Sequence, residues 1–301
     1  MGKQTKQKGS NFGGDWTIQK LYIIEEYLKT YCTALKNQNV KKIYVDGFAG
    51  SGKTALKSHK TINNEMQATL FNEYSNDEDI VVDGSALISL QFDFDEYYFI
   101  ELDEGRISTL KGLIKEKYPG KYNKVHFITG DSNVKLLEVI SKITLHDRCV
   151  MFLDPYALEL KWSTLEKIAE CTVVDLWYLF PLSLIRLIEK QKDIPEHNKE
   201  KVTSILGTDK WLEELFVESS QMNFFNDTNY DRVDYKEILD YVRKRFETIF
   251  PYVSPNSKIL TNEKKNAPMF MLCFMMTNTS SKAQQLAARL VKGIIKSTEK
   301  L

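Results

Sequence analysis

The apolar run Ile43-Tyr44-Val45 leads into Asp46-Gly47-Phe48-Ala49-Gly50-Ser51-Gly52-Lys53-Thr54, and this stretch admits two kinds of chemistry. Gly47, Gly52, Lys53 and Thr54 satisfy GxxxxGK[ST], a loop whose backbone amides cradle phosphates while Lys reaches the terminal phosphate and Thr holds Mg²⁺. Asp154, closing the apolar run Val150-Met151-Phe152-Leu153, would supply the matching acid of a nucleoside-triphosphate site. The second template is an acid at a strand end followed by G-x-G, here Asp46, Gly50 and Gly52, with Gly47 and Phe48 in the same loop. In a nucleotide-binding βαβ unit, small residues let the backbone approach a ligand, and a neighbouring carboxylate takes a cationic amine.

Further along the chain, three more apolar runs end in carboxylates. Glu101 closes YYFIELDE, where an acid can accept both hydroxyls of a ribose. Asp131, followed by Ser132, closes ITGDSN and is placed for an exocyclic amine; Asp154-Pro155-Tyr156 closes the next run. Each acid alone is equally readable as a cap for the helix that follows. As a set they fit one ligand lying across the C-terminal edge of a parallel sheet. A triphosphate would be repelled by them, and that reading uses Asp154 alone. S-adenosylmethionine has a sulfonium cation, an amino group, a ribose and an adenine, and acids serve all of these. It is the expected cofactor, with the nucleoside-triphosphate site as the alternative. His59, His126, His146 and His197 show no metal-ligand spacing, so no metal is expected.

The elements that must position these residues alternate. A long amphipathic helix is expected over Trp16 to Asn37 behind an Asp15 cap, bringing Trp16 and Lys20 near the site either as a cover for the cofactor or as structural contacts. Strands are expected at Lys42–Val45, Tyr97–Ile100, Val125–Ile128, Cys149–Leu153 and Val173–Phe180. Helical periods at Glu104–Glu116, Ser132–Ile143 and Ser163–Glu170 separate them. This order implies an α/β fold with a doubly wound, mostly parallel sheet. Beyond Pro181, helices at Leu182–Gln191, Lys199–Leu206, Lys210–Ser219 and Tyr235–Phe250 read as an insertion. Ser257–Thr261 and Met269–Thr277 then form a closing antiparallel hairpin before a last helix from Ser281 to about Lys296. The expected division is a basic tail (1–15), a Rossmann-like core (16–181), a helical insertion (182–252) and a closing hairpin with its helix (253–301). Asn63 to Asp83 reads as a polar surface excursion.

The 301 residues carry 41 basic and 41 acidic side chains, so no overall field selects a partner. The balance is uneven along the chain. Eleven acids and no Lys or Arg lie between Glu73 and Glu104, whereas Lys3, Lys6 and Lys8 open the sequence and basic residues dominate from Lys258 onward. Such runs are either solvated faces or an acidic cavity with a basic rim that meets phosphates. Cys32, Cys149, Cys171 and Cys273 are widely spaced, as reduced thiols in cytoplasm would be, and no apolar stretch is long enough to span a membrane.

The stretches WTIQKLYIIEEYLKTY, YVDGFAGSG, DGSALISL, YYFIELDE, GDSN, FLDPYALELKWSTLEKIA and VDLWYLFPLSLIRL, in that order, resemble the three-Cys-motif partner protein family (TcmP). They resemble more distantly the class I S-adenosylmethionine-dependent methyltransferases. The resemblance covers most of residues 16–186 and implies a Rossmann-like methyltransferase fold with a neighbouring three-Cys-motif protein as partner. It assigns Asp46 to Gly52 to the cofactor loop, Glu101 to the ribose, and Asp131 with Ser132 to the adenine. Asp154, Pro155 and Tyr156 fall where methyltransferases of base amino groups carry [DN]-P-P-[YF], which implies RNA or DNA as the acceptor. One proline is missing here, so Tyr156 stands in the second proline's place and Ala157 in the aromatic's. Trp162 offers a second aromatic for stacking, a core position being its alternative. A third reading is an inactive methyltransferase fold that serves only as the binding partner.

Overall fold

A computed structural model describes residues 15–56, 80–188, 194–218, 230–262 and 267–298. Lys3, Lys6, Lys8, His59, Glu73, Asp77, Glu78, Asp79 and the centre of the closing hairpin's turn fall outside them. The parallel strands are β1 (Lys41–Asp46), β4 (Glu96–Glu101), β5 (Val125–Thr129), β6 (Asp147–Leu153) and β7 (Val174–Pro181), in the spatial order β5-β4-β1-β6-β7. The long strand β12 (Ala267–Met276) adds antiparallel to β7, with Phe274 opposite Trp177, and β11 (Lys258–Asn262) pairs with its other edge. The expected mixed α/β sheet with a closing antiparallel hairpin is therefore present. A further edge strand, β10 (Tyr252–Val253), pairs with Met275 and Met276 and was not expected.

Strand periodicity assigns the core. Successive side chains point to opposite faces, so Ile43, Val45, Met151, Leu153, Cys273 and Met275 join one buried cluster. Their neighbours Tyr44, Val150, Phe152, Leu272 and Phe274 join the other. The second face is covered by the helices Asp15–Ala34, Glu104–Lys117 and Ser281–Ser297, the last burying Ala287, Val291, Ile294 and Ile295 at helical spacing. The first face is covered by Ser132–Ile140, Trp162–Ala169 and the insertion helices Glu196–Leu206 and Tyr235–Glu247. The run Met269–Met276 is thus core strand, as its apolar composition implied.

The insertion is not wholly helical. Among the described residues of Lys210–Ser219, which exclude Ser219, only Trp211–Glu214 is helix; β8 (Phe216–Glu218) then pairs antiparallel with β9 (Tyr230–Arg232). Of Leu182–Gln191 only Leu184–Leu187 is helix, and Glu189, Lys190 and Gln191 lie outside the described residues. Arg232 Nη1 donates to the carbonyls of Ile185 (2.7 Å) and Ile188 (2.6 Å), so a side chain takes up acceptors that a further turn would have used. The excursion after the glycine loop also differs from expectation. β2 (Lys53–Leu56) and β3 (Ile80–Asp83) form an antiparallel ladder, and Val82 is buried.

Several described acids of the acidic window are paired with cations from elsewhere. Asp83 meets Lys117, Asp93 meets Lys121, and Glu96 meets Lys41 and accepts from Tyr98 Oη. Asp95 accepts the Lys42 amide at 2.7 Å, which fixes the start of β1 against the turn before β4. Among the described residues no helix is long and apolar enough to cross a membrane.

Trp162 belongs to the core. Its ring stacks on Phe246 at 6.1 Å, its Nε1 donates to Glu166, and the Arg245 guanidinium lies 4.7 Å from the ring centre. A Cβ on Gly207 would collide with it. Replacing Trp162 with Ala should cost about 3–5 kcal/mol in equilibrium denaturation. A loss below about 1 kcal/mol would show that the ring does not carry this packing.

Candidate functional site

The crossover reverses at β1: the chain moves outward to β4 and β5 on one side and returns to β6 on the other. In open α/β sheets the crevice at such a switch point, beyond the carboxyl ends of the strands, is where ligands sit. Here the loop 47–52 fills the bottom of that crevice and is held from both flanks. Gly47 N donates to Phe152 O of β6 (3.0 Å), and Ala49 N to Ile100 O of β4 (2.9 Å). Gly50 N donates to Glu101 Oε2 (2.9 Å), while Glu101 Oε1 accepts the Asp103 amide (3.0 Å). Ser132 Oγ donates to Gly47 O from the start of the following helix.

Gly50 (φ 61°) and Gly52 (φ 86°) adopt left-handed backbone conformations. A Cβ at Gly52 would come within 2.7 Å of Leu110, and one at Gly47 within 2.4 Å of Leu153. A side chain at Gly47 would displace the Leu153 side chain beneath the loop, and one at Gly52 would meet Leu110 and a left-handed backbone as well.

Above the loop lies a cavity of about 1010 Å³, at the upper end of the volume that small-ligand sites occupy. Phe48, Gly50, Gly52, Glu101, Asp131, Ser132, Asp154, Pro155 and Tyr156 all line it. Asp46 and Gly47 lie behind the loop instead. Asp46 is fully buried, accepting Ser85 Oγ (2.6 Å) at one oxygen and the Phe48 amide (3.1 Å) at the other. Its role is to shape the loop from below, rather than to meet an amine directly.

Two of the acids bear on the capping alternative. Asp131 caps the helix Ser132–Ile140 by accepting Asn133 N at 2.8 Å, whereas the cap of Glu104–Lys117 is Asp103 rather than Glu101. Asp131 also lines the cavity, so capping does not remove it from the site. Glu101 is only 8% exposed, at the base of the cavity, with its carboxylate committed to backbone amides. A carboxylate has about four acceptor positions, which leaves room for ligand hydroxyls.

Asp154 is engaged by the first helix. Lys20, itself 6% exposed, forms an ion pair with Asp154 Oδ2, and its ammonium lies 5.2 Å from the Trp16 ring. Tyr156 is 52% exposed at the mouth, and the Arg106 guanidinium lies 5.3 Å from its ring while approaching Glu101 at 3.9 Å. Tyr156 is thus an aromatic that the β6 strand end presents to the cavity. Arg106 and Asn133 were not found from the sequence, since an arginine inside a helix and an asparagine after a cap carry no distinguishing pattern. Asn133 Oδ1 accepts Lys161 N and Thr164 Oγ1, tying the β5 and β6 strand ends together.

The phosphate-loop template fails on backbone geometry. Lys53 and Thr54 open strand β2, paired with Asp83 and Val82, where that template needs a helix whose N-terminal amides point at phosphate. Among the described residues no group of three or more His, Cys, Asp or Glu side chains gathers as a metal site would require.

No protein-family model and no curated protein matches the sequence. Among solved structures, the chain is similar to a Legionella pneumophila protein of family DUF519, at TM-score 0.50 and 12% identity over 90% of each chain. It is also similar to the spermidine synthase of Thermotoga maritima, at TM-score 0.41 and 9% identity over 88% of this chain and 61% of that one. An O-methyltransferase of Bacillus cereus solved with SAH aligns at TM-score 0.38 and 10% identity, over 84% and 80% of the two chains. At these identities the likeness concerns the fold alone.

Burial pushes the Asp46 carboxyl up to about 7, against the lowering effect of Ser85 and Phe48. The folded chain therefore holds this proton more tightly than the unfolded chain does, and stability falls as pH rises from about 4 to 7. Asp175, desolvated and accepting from Tyr27 Oη, is raised to about 6 and acts in the same direction. In Asp46→Asn the amide oxygen can still accept from Phe48 and the amide nitrogen can donate to Ser85. Thermal melts from pH 5 to 8 should show a shallower decline for this variant than for the parent, the difference amounting to a few kcal/mol at most. Parallel curves would mean that Asp46 is not protonated in the folded state.

Proposed function

We propose that the chain binds S-adenosylmethionine at the loop 47–52 and acts as a methyltransferase on an amino group of a nucleic-acid base. The observation that carries this reading is the joint placement of Glu101 and Asp154-Pro155-Tyr156 on strand ends flanking one glycine loop, all facing one cavity. The resemblance of the ordered sequence stretches to the three-Cys-motif partner family points in the same direction. When bound, the cofactor supplies an electrophilic methyl group on a positively charged sulfur.

The chain's own residues then have distinct tasks. Glu101 accepts from ribose hydroxyls with the lone pairs left over from its bonds to Gly50 and Asp103. Asp131 accepts from the adenine amine, and Phe48 and Leu102 supply apolar walls. Asp154 accepts a hydrogen bond from the target amine, keeping its lone pair directed at the methyl group, and Tyr156 offers its exposed ring to the base. Positioning rather than proton transfer provides most of the acceleration in such a step. For Asp154 to serve, Lys20 must share or release it.

That ion pair also favours a second reading, in which the fold binds the cofactor without transferring its methyl group and serves as the partner of a three-Cys-motif protein. Calorimetry should show binding of S-adenosylmethionine and S-adenosylhomocysteine by the parent and by Lys53→Ala, with none for ATP plus Mg²⁺. Glu101→Gln should weaken cofactor binding by about tenfold or more, since both its ribose contacts and its anchor on Gly50 lose charge. Absence of binding to either sulfur compound would overturn the cofactor assignment. Binding without transfer of labelled methyl to RNA or DNA would move the conclusion to the second reading.

A further inference from the structure

The cavity is lined by two regions of different charge. Beside the β4 and β5 strand ends stand Glu101, Asp103 and Asp131, with Lys53 and Arg106 among them. On the insertion side stand Lys161, Arg186 and Lys201, with Glu159 as the acid beside them; Lys20 and Asp154 offset each other between the two. Lys161 precedes the helix Trp162–Ala169, Arg186 lies in Leu184–Leu187 and Lys201 in Glu196–Leu206, and the third of these helices packs against the other two. The three cations are exposed, yet none has an ion-pair partner among the described residues.

Cations from three elements, two of which pack on the third, line this cavity without a carboxylate partner among the described residues, and a polyanion is the ligand that such a lining attracts. From this the geometry points to a phosphate clamp: Lys161, Arg186 and Lys201 hold successive phosphates of a single-stranded nucleic acid whose base enters beside Tyr156. This rests on the acceptor reading above and adds to it that the acceptor is a strand rather than a free base or nucleoside. A single strand fits because a base within a duplex cannot reach a recessed amine acceptor position without being extruded. Arg186 adds a planar fork suited to two phosphate oxygens, whereas the lysines act as point charges.

The test uses the full chain and fluorescein-labelled single-stranded RNA and DNA of about 12 nucleotides, read by anisotropy across a salt series. The parent should bind at least one of the two. The triple variant Lys161→Ala, Arg186→Ala, Lys201→Ala should bind about tenfold or more weakly, with a log–log salt slope shallower by about 2. S-adenosylhomocysteine titration of the same variant should be unchanged, which shows that the core has folded. Equal affinity and slope in parent and triple variant would overturn the clamp. So would failure of the parent to bind either oligonucleotide, including the case in which it binds an acidic peptide instead. Oligonucleotide binding that depends on the three cations, in a protein that ignores S-adenosylhomocysteine, would remove the cofactor reading and leave the clamp standing; thermal melts would then report the folding of the variant.

Discussion

The site depends on one constraint: a loop of small residues must be held rigid at the point where the sheet reverses direction, without side chains filling the space above it. Gly50 and Gly52 meet the second requirement and create a difficulty for the first, because glycine loses the most conformational freedom on ordering. The fold offsets that cost with hydrogen bonds from both flanks. Glu101 is central, since its two oxygens bind the Gly50 amide and the Asp103 amide and so join the loop to the β4 strand end. Gly47 and Ser132 fasten the other side to β6 and the following helix. A ligand meeting this loop meets a preformed surface and need not supply the energy to order it.

Buried charge on the two sides of the loop follows from the same arrangement. Asp46 lies below it, and desolvation by burial raises its pKa toward neutrality against the lowering effect of its hydrogen bonds from Ser85 and Phe48. Asp154 is shielded differently, by an ammonium brought in from the first helix. A partly buried pair of this kind is costly to break from one side only, because the remaining charge has no partner. Any amine that reaches Asp154 must therefore compete with Lys20 or displace it, which makes the first helix part of the cavity lining as well as a cover for the core.

The sheet and the cavity-facing acids were legible in the sequence because each is signalled locally. Short apolar runs end in Glu101, Asp131 and Asp154, which face the cavity, and in Asp46, which lies beneath the loop, and the runs are separated by helical periods. What escaped was set by tertiary contact. β8 and β9 pair across an intervening stretch of eleven residues, Arg232 from the second of these strands binds the carbonyls of Ile185 and Ile188 at the end of the helix after Pro181, and Arg106 reaches Tyr156 from the helix that follows β4. The acidic window from Glu73 to Glu104 illustrates the same limit. Composition alone suggests an anionic surface, whereas the fold distributes Asp83, Asp93 and Glu96 among lysines from three separate segments.

The string Gly47–Thr54 shows why a motif has to be tested against backbone conformation. Its residues satisfy a phosphate loop letter by letter, and the preceding strand and the acid at Asp154 satisfy the context as well. The physics of phosphate capture, however, lies in the helix that follows, whose free N-terminal amides and dipole attract the anion. Here the chain after Gly52 turns into a strand, and its Lys53 to Leu56 amides and carbonyls lie along a ladder with Ile80 to Asp83. The helix Ser85–Ser89 begins only after that ladder, and the residue before it, Gly84, donates its amide to Gly52 O. The same glycines thus serve a surface on which carboxylates, not amide dipoles, supply the dominant charge, and this favours a cationic cofactor over a triphosphate.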